Sequence, residues 1–284
     1  MEGQAENNLV SISLENEKEP ECLKIVRDMM ADSEKLKPLM QFWPEKLLLM
    51  FIRTYDFNPT NILRVINSLH NGITEMYPDL FGLINLSELK PILDKKMFRL
   101  VKHASPKNPG VVMFHFKNWK PSEIPIEQLI AVGTVYYYQL GRESKDIQKN
   151  GIIILVDADG LGFSHARQLS YDLVKKLLYC MVYTSPVRVT GYIVYNSSYL
   201  MEKIYSVVKY AVPERARKDI YLLKKDLTVL HRMVPDKQFL PTCVGGEVPN
   251  DDAFQEDAEE AAFEDLTIQN LVTDLQREVG LGKK

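Results

Sequence analysis

Residues 151–157, GIIILVD, form an unbroken aliphatic run closed by an acidic residue. A strand with one wet face alternates apolar and polar side chains, whereas one that is apolar at every position is buried on both faces. The place for such a strand is the middle of a parallel sheet covered by helices. The surrounding chain agrees. GVVMFHF (110–116) and VRVTGYIVYN (187–196) read as further strands, with a short one at Ile220–Leu223 and a hairpin turn at Pro106–Gly110. Helical spacing lies between them at Ile126–Leu140, Phe163–Met181, Ser197–Ala211 and Pro213–Ile220. Strands alternating with helices define an α/β fold with a mostly parallel sheet. Gly245–Gly246 closes this region.

The chain before it has a different texture. Residues 1–19 are polar and are expected to be loose. Glu21–Leu36 carries Leu23, Val26, Met29 and Met30 at helical spacing, and Pro44 suits a first helical turn before the apolar stretch Leu47–Ile52. Asn58–Pro59 is a cap followed by a first-turn proline, and the helix it opens has an apolar stripe of Ile62, Ile66, Leu69, Ile73 and Met76. The division expected is a loose 1–19, a helical domain over 20–95, an α/β domain over 96–250 and an acidic tail over 251–284. Within the tail, Thr267–Val279 places Ile268, Leu271, Val272 and Leu275 on one helical face that needs a surface to pack on.

Charge and cysteine usage narrow the class. From Asp251 onward ten acidic and three basic residues give −7, so the preceding 250 residues carry +4 of the net −3. A body that mildly basic suits an anionic membrane surface and is too weak for nucleic acid. Cys22, Cys180 and Cys243 are too few and scattered for a disulfide framework or zinc site. The opening MEGQAENNLV lacks a signal-peptide pattern, and the longest apolar runs are too short to cross a bilayer, so a cytoplasmic monomer without metal or cofactor is expected.

The one catalytic motif worth weighing is IIILVDADG. A strand ending in Asp-x-Asp, here Asp157 and Asp159, resembles the first motif of magnesium-dependent haloacid-dehalogenase-type phosphatases. Leu161 stands where that family has a hydroxyl residue, and no downstream acidic metal motif follows. The competing reading is a strand-end turn whose carboxylates accept backbone N–H groups. Ser164 and His165 are adjacent and cannot pair as nucleophile and base, and there is no GxSxG, P-loop, GxGxxG or HExxH.

What remains is apolar bulk, including Tyr136, Tyr137, Tyr138 and the 199–207 segment, on elements that face one sheet. Four segments then resemble, in order, the CRAL-TRIO (Sec14-like) lipid-transfer family. WPEKLLLMFIRTYDFNPTNILRVINSLHNGITEMYPDLF is similar to its N-terminal helices. NGIIILVDADGLGFSHARQLS is similar to its strand, D-x-x-G turn and helix. SPVRVTGYIVYNSSYLMEKIYSVVKYAVPERARKDI is similar to its strand, gate helix and basic segment, and FLPTCVGGEVP to its closing signature. The tocopherol-transfer and retinaldehyde-binding type is the nearest in pattern.

The resemblance implies a helical bundle followed by an α/β domain whose sheet floors a hydrophobic pocket under a gate helix. Carried over by position, the pocket includes Ala131, Thr134, Val135, Tyr138, Ile152, Val156, Leu161, Leu169, Leu177, Cys180, Met181, Val187, Val189 and Tyr192, with Met201, Ile204 and Val207 on the gate. Thr134, Tyr138 and Tyr192 are the polar groups that would orient a ligand. The resemblance also implies a phosphoinositide-contacting basic cleft. Arg188 and Arg215 match two of its positions, Thr190 and Asp219 replace the other two, and Lys209, Arg217 and Lys218 lie nearby. The gate ends Lys209–Tyr210–Ala211 where the family has Lys-Pro-Phe. Val187 and Asp219 stand where the yeast-type inositol-lipid site has charged partners, which argues against inositol phospholipid as cargo. The acidic tail has no family counterpart and has the charge to fold back on the basic cleft.

The expectation is a non-enzymatic carrier of a small hydrophobic ligand of the tocopherol, retinoid or carotenoid sort, docking transiently on anionic membranes. The rivals are a scaffold with a filled pocket and the phosphatase using Asp157 and Asp159. A cavity of a few hundred Å³ separates the first two.

Overall fold

In the computed structural model, residues 18–102, 108–261 and 264–281 are described. Of the loose terminus expected over 1–19, residues 1–17 lie outside them, as does the start of the turn at Pro106, whereas residues 18 and 19 are helical and Glu19 accepts from Arg53 at 2.7 Å.

The sheet has five strands in the order β1 (Phe98–Leu100), β2 (Gly110–His115), β3 (Ile152–Asp157), β4 (Val189–Tyr195) and β5 (Ile220–Leu222). β1 runs antiparallel to β2, as a hairpin requires, and the other pairs are parallel. β3 is central, which is why it is apolar from Ile152 to Val156. Its odd-numbered residues Ile153 and Leu155 pack with Val111, Met113, Ile193 and Tyr195 against Leu230, Val234, Leu240 and Val244. Its even-numbered residues turn to the opposite face, where the long helix Ile126–Glu143 lies. The loop closing the odd face is tight: a Cβ on Gly246 would fall 1.9 Å from the backbone oxygen of Leu240, so no other residue fits without moving the chain.

The helices before the sheet are 18–31, Glu45–Thr54, Pro59–Asn71 and Leu86–Leu93. Asn58 caps the third, its side-chain oxygen accepting from the Asn61 N–H at 3.1 Å. Ile62, Ile66, Leu69 and Ile73 are buried, but Met76 is 52% exposed. The chain widens into a π turn at Gly72–Met76, which rotates Met76 off the stripe expected for a regular helix. One buried core joins these helices to the even face of the sheet.

The single helix read over Phe163–Met181 is broken. Phe163–Ala166 ends, and Ser170 starts Tyr171–Leu178 by accepting the Leu173 N–H at 3.2 Å. A π turn, Tyr179–Tyr183, follows. Ser170 is the residue type that a helix start demands, and that local cap defeats the continuous apolar spacing.

Among the described residues, the tail makes its contacts away from the basic cleft. Its first part extends the β1 edge, with the Lys102 N–H donating to Ala253 O at 2.7 Å and the Gln255 N–H to Leu100 O at 2.9 Å. Glu256 pairs with Lys96 at 3.0 Å and Arg99 at 3.3 Å, and Asp265 with Arg142. Helix Thr267–Glu278 then docks on the N-terminal helices through Ile268, Leu271, Val272 and Leu275. Gln276 donates to Pro78 O at 2.8 Å, and Gln269 accepts the Leu86 N–H at 2.7 Å. Leu271→Ala should therefore cost about 3 kcal/mol in urea unfolding, whereas a tail free of the body would lose nothing.

Candidate functional site

The even face of the sheet forms a floor in two rows. Strand pairing sets Ile154 beside Tyr192 and Tyr192 beside Ile220, and aligns Phe98, Phe114, Val156, Val194 and Leu222 in the next row. The wall is one stripe of the long helix: Ile126, Leu129, Ile130, Gly133, Thr134 and Tyr137 recur at helical spacing. Leu169, Val174, Leu177, Leu178, Cys180 and Met181 close a second side from the broken helix. Helix Tyr199–Val208 lies across the top, started by Ser198, whose hydroxyl accepts the Met201 N–H at 3.3 Å. Met201, Ile204, Tyr205 and Val208 point inward. Between these layers is a cavity of about 280 Å³.

Nine of the residues carried over as pocket positions border this cavity: Thr134, Val156, Leu169, Leu177, Cys180, Met181, Tyr192, Met201 and Ile204. The other eight lie elsewhere. Ile152 is buried and Val189 half-buried at the entry end of the sheet, where a register shift separates their row from the floor. Ala131 is solid core, and Leu161 packs on that core from the turn after β3. Val135 and Tyr138 are on another side of the long helix, facing Met50 and Ile268. Val187 is buried with a methyl group directed at Gly141. Val207 is 65% exposed on the outside of the covering helix, because inward positions there fall at 201, 204, 205 and 208. An aromatic end wall of Phe98, Phe114, Phe116 and Trp119 was not anticipated. Its signal is the alternation in GVVMFHF, which puts Phe114 and Phe116 on one side.

The polar groups around the cavity are mostly committed. Thr134 Oγ1 donates to Ile130 O at 2.9 Å, and Trp119 Nε1 to Ile124 O at 2.8 Å. Tyr138 donates to Thr184 O at 3.0 Å, tying the long helix to the π turn. Burial pushes the Cys180 thiol up to about 12, so it stays protonated and serves as an apolar lining group. The Tyr192 hydroxyl is buried without a hydrogen-bond partner.

Asp157 ends β3 as part of the turn. Its Oδ1 accepts from Asn196 Nδ2 at 2.9 Å and from the Asp159 N–H at 3.1 Å, while His115 Nδ1 approaches Oδ2 at 3.5 Å. Burial pushes this carboxyl up, but the contacts from His115, Asn196, Asp159 and Tyr195 together outweigh it and hold the group down at about 2. The turn then passes Gly160 at φ +81°, where a Cβ would meet the Lys117 backbone at 2.8 Å. His165 Nδ1 accepts the Gly162 N–H at 3.0 Å, and Nε2 faces Trp119 O at 2.9 Å. These groups hold loops in place. Among the described residues no cluster of His, Cys, Asp and Glu is arranged to hold a metal ion.

The basic residues are not equivalent. Arg188 is engaged by Asp56 Oδ2 at 2.7 Å and by the Lys149 carbonyl. Arg217 Nε donates to Val212 O at 2.9 Å. Lys218 is exposed, and Lys209 lies 5.2 Å from the Tyr210 ring. Arg215 is in the short helix Glu214–Arg217, and its side chain lies outside the described set.

A parallel sheet flooring an apolar cavity under a separate helix defines a class built around an interior guest site rather than a surface cleft. The chain belongs to the CRAL/TRIO domain family, which it matches over residues 100–246, just over half its length. It is 26% identical to alpha-tocopherol transfer protein-like from Mus musculus over 204 residues, covering 71% of this chain and 58% of that protein. It is 27% identical to clavesin-1 from Rattus norvegicus over 107 residues, covering 38% of this chain and 30% of that protein. The chain thus spans less than two thirds of the length of these curated relatives. The crystal structure of Sfh5 aligns with a TM-score of 0.47 and 14% identity, covering 76% of this chain and 83% of that one.

Asp157 gives a pH prediction. A carboxyl near 2 in the fold against an ordinary 3.8 contributes about 2 kcal/mol, present above pH ~4 and lost as pH falls through ~2. Asp157→Asn should lower stability by about 1–2 kcal/mol at pH 7. The gap from the parent protein should close on acidification, read by denaturation at a series of pH values.

Proposed function

We propose that this chain carries a small hydrophobic ligand in the cavity and exchanges it at membranes by displacement of the helix Tyr199–Val208. The observation that carries this reading is the cavity of about 280 Å³ with an almost wholly apolar lining. Ligand pockets span about 300–1,000 Å³, so the space is just short of the compact end of that range. A scaffold that filled its own pocket would not keep it. At ~24 cal/mol per Å³, an unfilled apolar space of this size forgoes about 7 kcal/mol. Ten methylene groups of a guest offer about 8 kcal/mol before the cost of association. The names of the similar proteins favour cargo of the tocopherol kind, with retinoid- and carotenoid-like molecules sharing the same chemistry.

The covering helix supports the gate role. Its inner face rests on the cavity rather than on packed side chains, and only Met201 in it is buried. Its far end is held by a satellite cluster of Val174, Leu178 and Val212, separate from the main core. Its outer surface bears Tyr199 and Val207, with Tyr210 just beyond, at 72%, 65% and 67% exposure. Lys203 and Lys209 stand over Tyr199 and Tyr210. Exposed aromatics paired with lysines suit the headgroup region of a bilayer. Lys209, Lys218 and Arg217 would add attraction to anionic lipid, phosphoinositide included, at about 1 kcal/mol per charge near the surface. Arg188, already paired with Asp56, would add least.

Solvent extraction of the purified protein followed by mass spectrometry should yield a hydrophobic molecule, and the delipidated protein should take one up from vesicles. No extractable molecule and no uptake would end this reading. Leu177→Trp, which projects indole into the cavity, should lower uptake about tenfold. Val207→Asp with Tyr210→Asp should slow transfer between vesicles several-fold while leaving the amount of ligand held unchanged, because neither side chain borders the cavity.

A further inference from the structure

The covering helix is held differently at its two ends. At its start the chain leaves β4 through Asn196 at φ +53°, the left-handed conformation that few residues with a side chain adopt. Asn196 Nδ2 donates to Asp157 Oδ1 at 2.9 Å. The Asn196 N–H donates to Lys224 O at 2.9 Å and the Ser197 N–H to Leu223 O at 2.9 Å. Ser198 then caps the helix, and Glu202, one turn on, lies 3.7 Å from Lys224. At the far end the hold is of another kind. Val208, Ala211 and Val212 pack with Val174 and Leu178 of the broken helix in a small apolar cluster. Arg217 Nε donates to Val212 O at 2.9 Å, but that bond lies within the same segment and travels with it.

Hydrogen bonds fix a direction, whereas apolar contacts are non-directional and can be exchanged for contacts with lipid. A residue at the end of an element that absorbs a backbone rotation is where a lid hinges. We infer that Asp157 is a positioning residue for ligand exchange: through Asn196 it fixes the turn on which the covering helix pivots, so that the helix stays attached at 196–198 and lifts at 208–212, along its seam with Val174 and Leu178. This rests on the carrier reading and adds to it the pivot, the direction of opening and the residue that restrains it. The bond from an amide to a carboxylate is charge-assisted, so its loss should ease opening without touching the cavity wall.

The test uses the full-length protein loaded with retinol, whose fluorescence follows transfer between phosphatidylcholine vesicles. Asn196→Gly removes the tether and keeps the turn, because glycine takes φ +53° without strain. Asp157 keeps the Asp159 N–H and His115. Transfer should quicken about fivefold while the amount of retinol held stays the same. Asn196→Asp should quicken it too, and adding Asp157→Asn should restore the slow rate, since amide and carboxylate then trade places. An unchanged rate in Asn196→Gly with retinol bound overturns the inference and leaves the carrier reading standing. A rate that stays fast in the exchanged pair overturns the assignment to Asp157. A lower melting temperature with less retinol held shows a purely structural role and also overturns it. Direction is read by maleimide labelling of Ser197→Cys and Val212→Cys, both buried positions, in a Cys243→Ser background that removes the exposed native thiol. Faster labelling at 212 is expected, and faster labelling at 197 overturns the pivot. No uptake of retinol by the parent protein overturns both readings.

Discussion

Side chains on a strand alternate between faces, and in β3 and β4 both faces must be apolar because both are covered. The two coverings differ in kind. On the odd face the segment 230–254 lies directly on the strands, and its tightness is shown at Gly246, where not even a Cβ fits. On the even face the covering is made of rods. The long helix and the helix Tyr199–Val208 each border the space along one stripe, and the sheet's side chains do not reach far enough to fill it. The same sheet thus makes a solid core on one side and a cavity on the other. The difference comes from what lies above it, not from the residues in it.

This asymmetry also sets where the molecule would open for the proposed ligand exchange. The N-terminal helices, the long helix, the even face of the sheet and the C-terminal helix share one continuous core. Displacing any of these would expose large apolar area at about 25 cal/mol per Å². The helix Tyr199–Val208 shares that core only through Met201, and its remaining support is a small cluster at one end. Regions with few buried contacts open first. The structural economy of the cavity and the mobility its lid would need therefore have one origin, because the space beneath the helix is what deprives it of packing.

The α/β architecture was legible because β3 is apolar up to its closing Asp157 and the helical segments between strands have clear spacing. The cavity was half legible. Resemblance located the right elements, but which side of each element faced the space depended on register. Val207 is three residues from Ile204 and fits a stripe as well as Val208 does, yet the helix presents 204, 205 and 208 inward. Val135 and Tyr138 belong to a helix that is buried all round, so apolar character could not say which face sees the cavity and which sees Met50. Ile152 has the parity of the floor and Val189 is set beside it only by a register shift that no local pattern announces, and both stand one row beyond the floor. The π turns at Gly72–Met76 and Tyr179–Tyr183 were hidden for a similar reason. Each inserts its irregularity into apolar sequence that reads equally well as regular helix. Asp157 was readable as a turn residue once Asp159 and Gly160 beside it were taken as turn chemistry, rather than Asp157 and Asp159 as a catalytic pair.

The position of the tail follows from sheet order. Ala253 and Gln255 hydrogen-bond beside β1, and Glu256 and Asp265 are held by Lys96, Arg99 and Arg142 on that side. Arg217 and Lys218 immediately precede β5, at the other edge. Four strand spacings of about 4.8 Å separate the edges, some 19 Å. Exposed charges that far apart are screened at physiological salt, where the Debye length is about 8 Å. The acidic segment therefore neutralises its own local cations and leaves the field around the covering helix to Lys203, Lys209 and Lys218 and to Glu202, which lies 3.7 Å from Lys224. Because the tail is pinned by backbone hydrogen bonds and four buried aliphatic side chains, salt alone would not release it to cross the sheet. It works as a strap between the sheet edge and the helical bundle, and it keeps its negative charge away from the covering helix, where exposed Tyr199 and Tyr210 stand beside lysines.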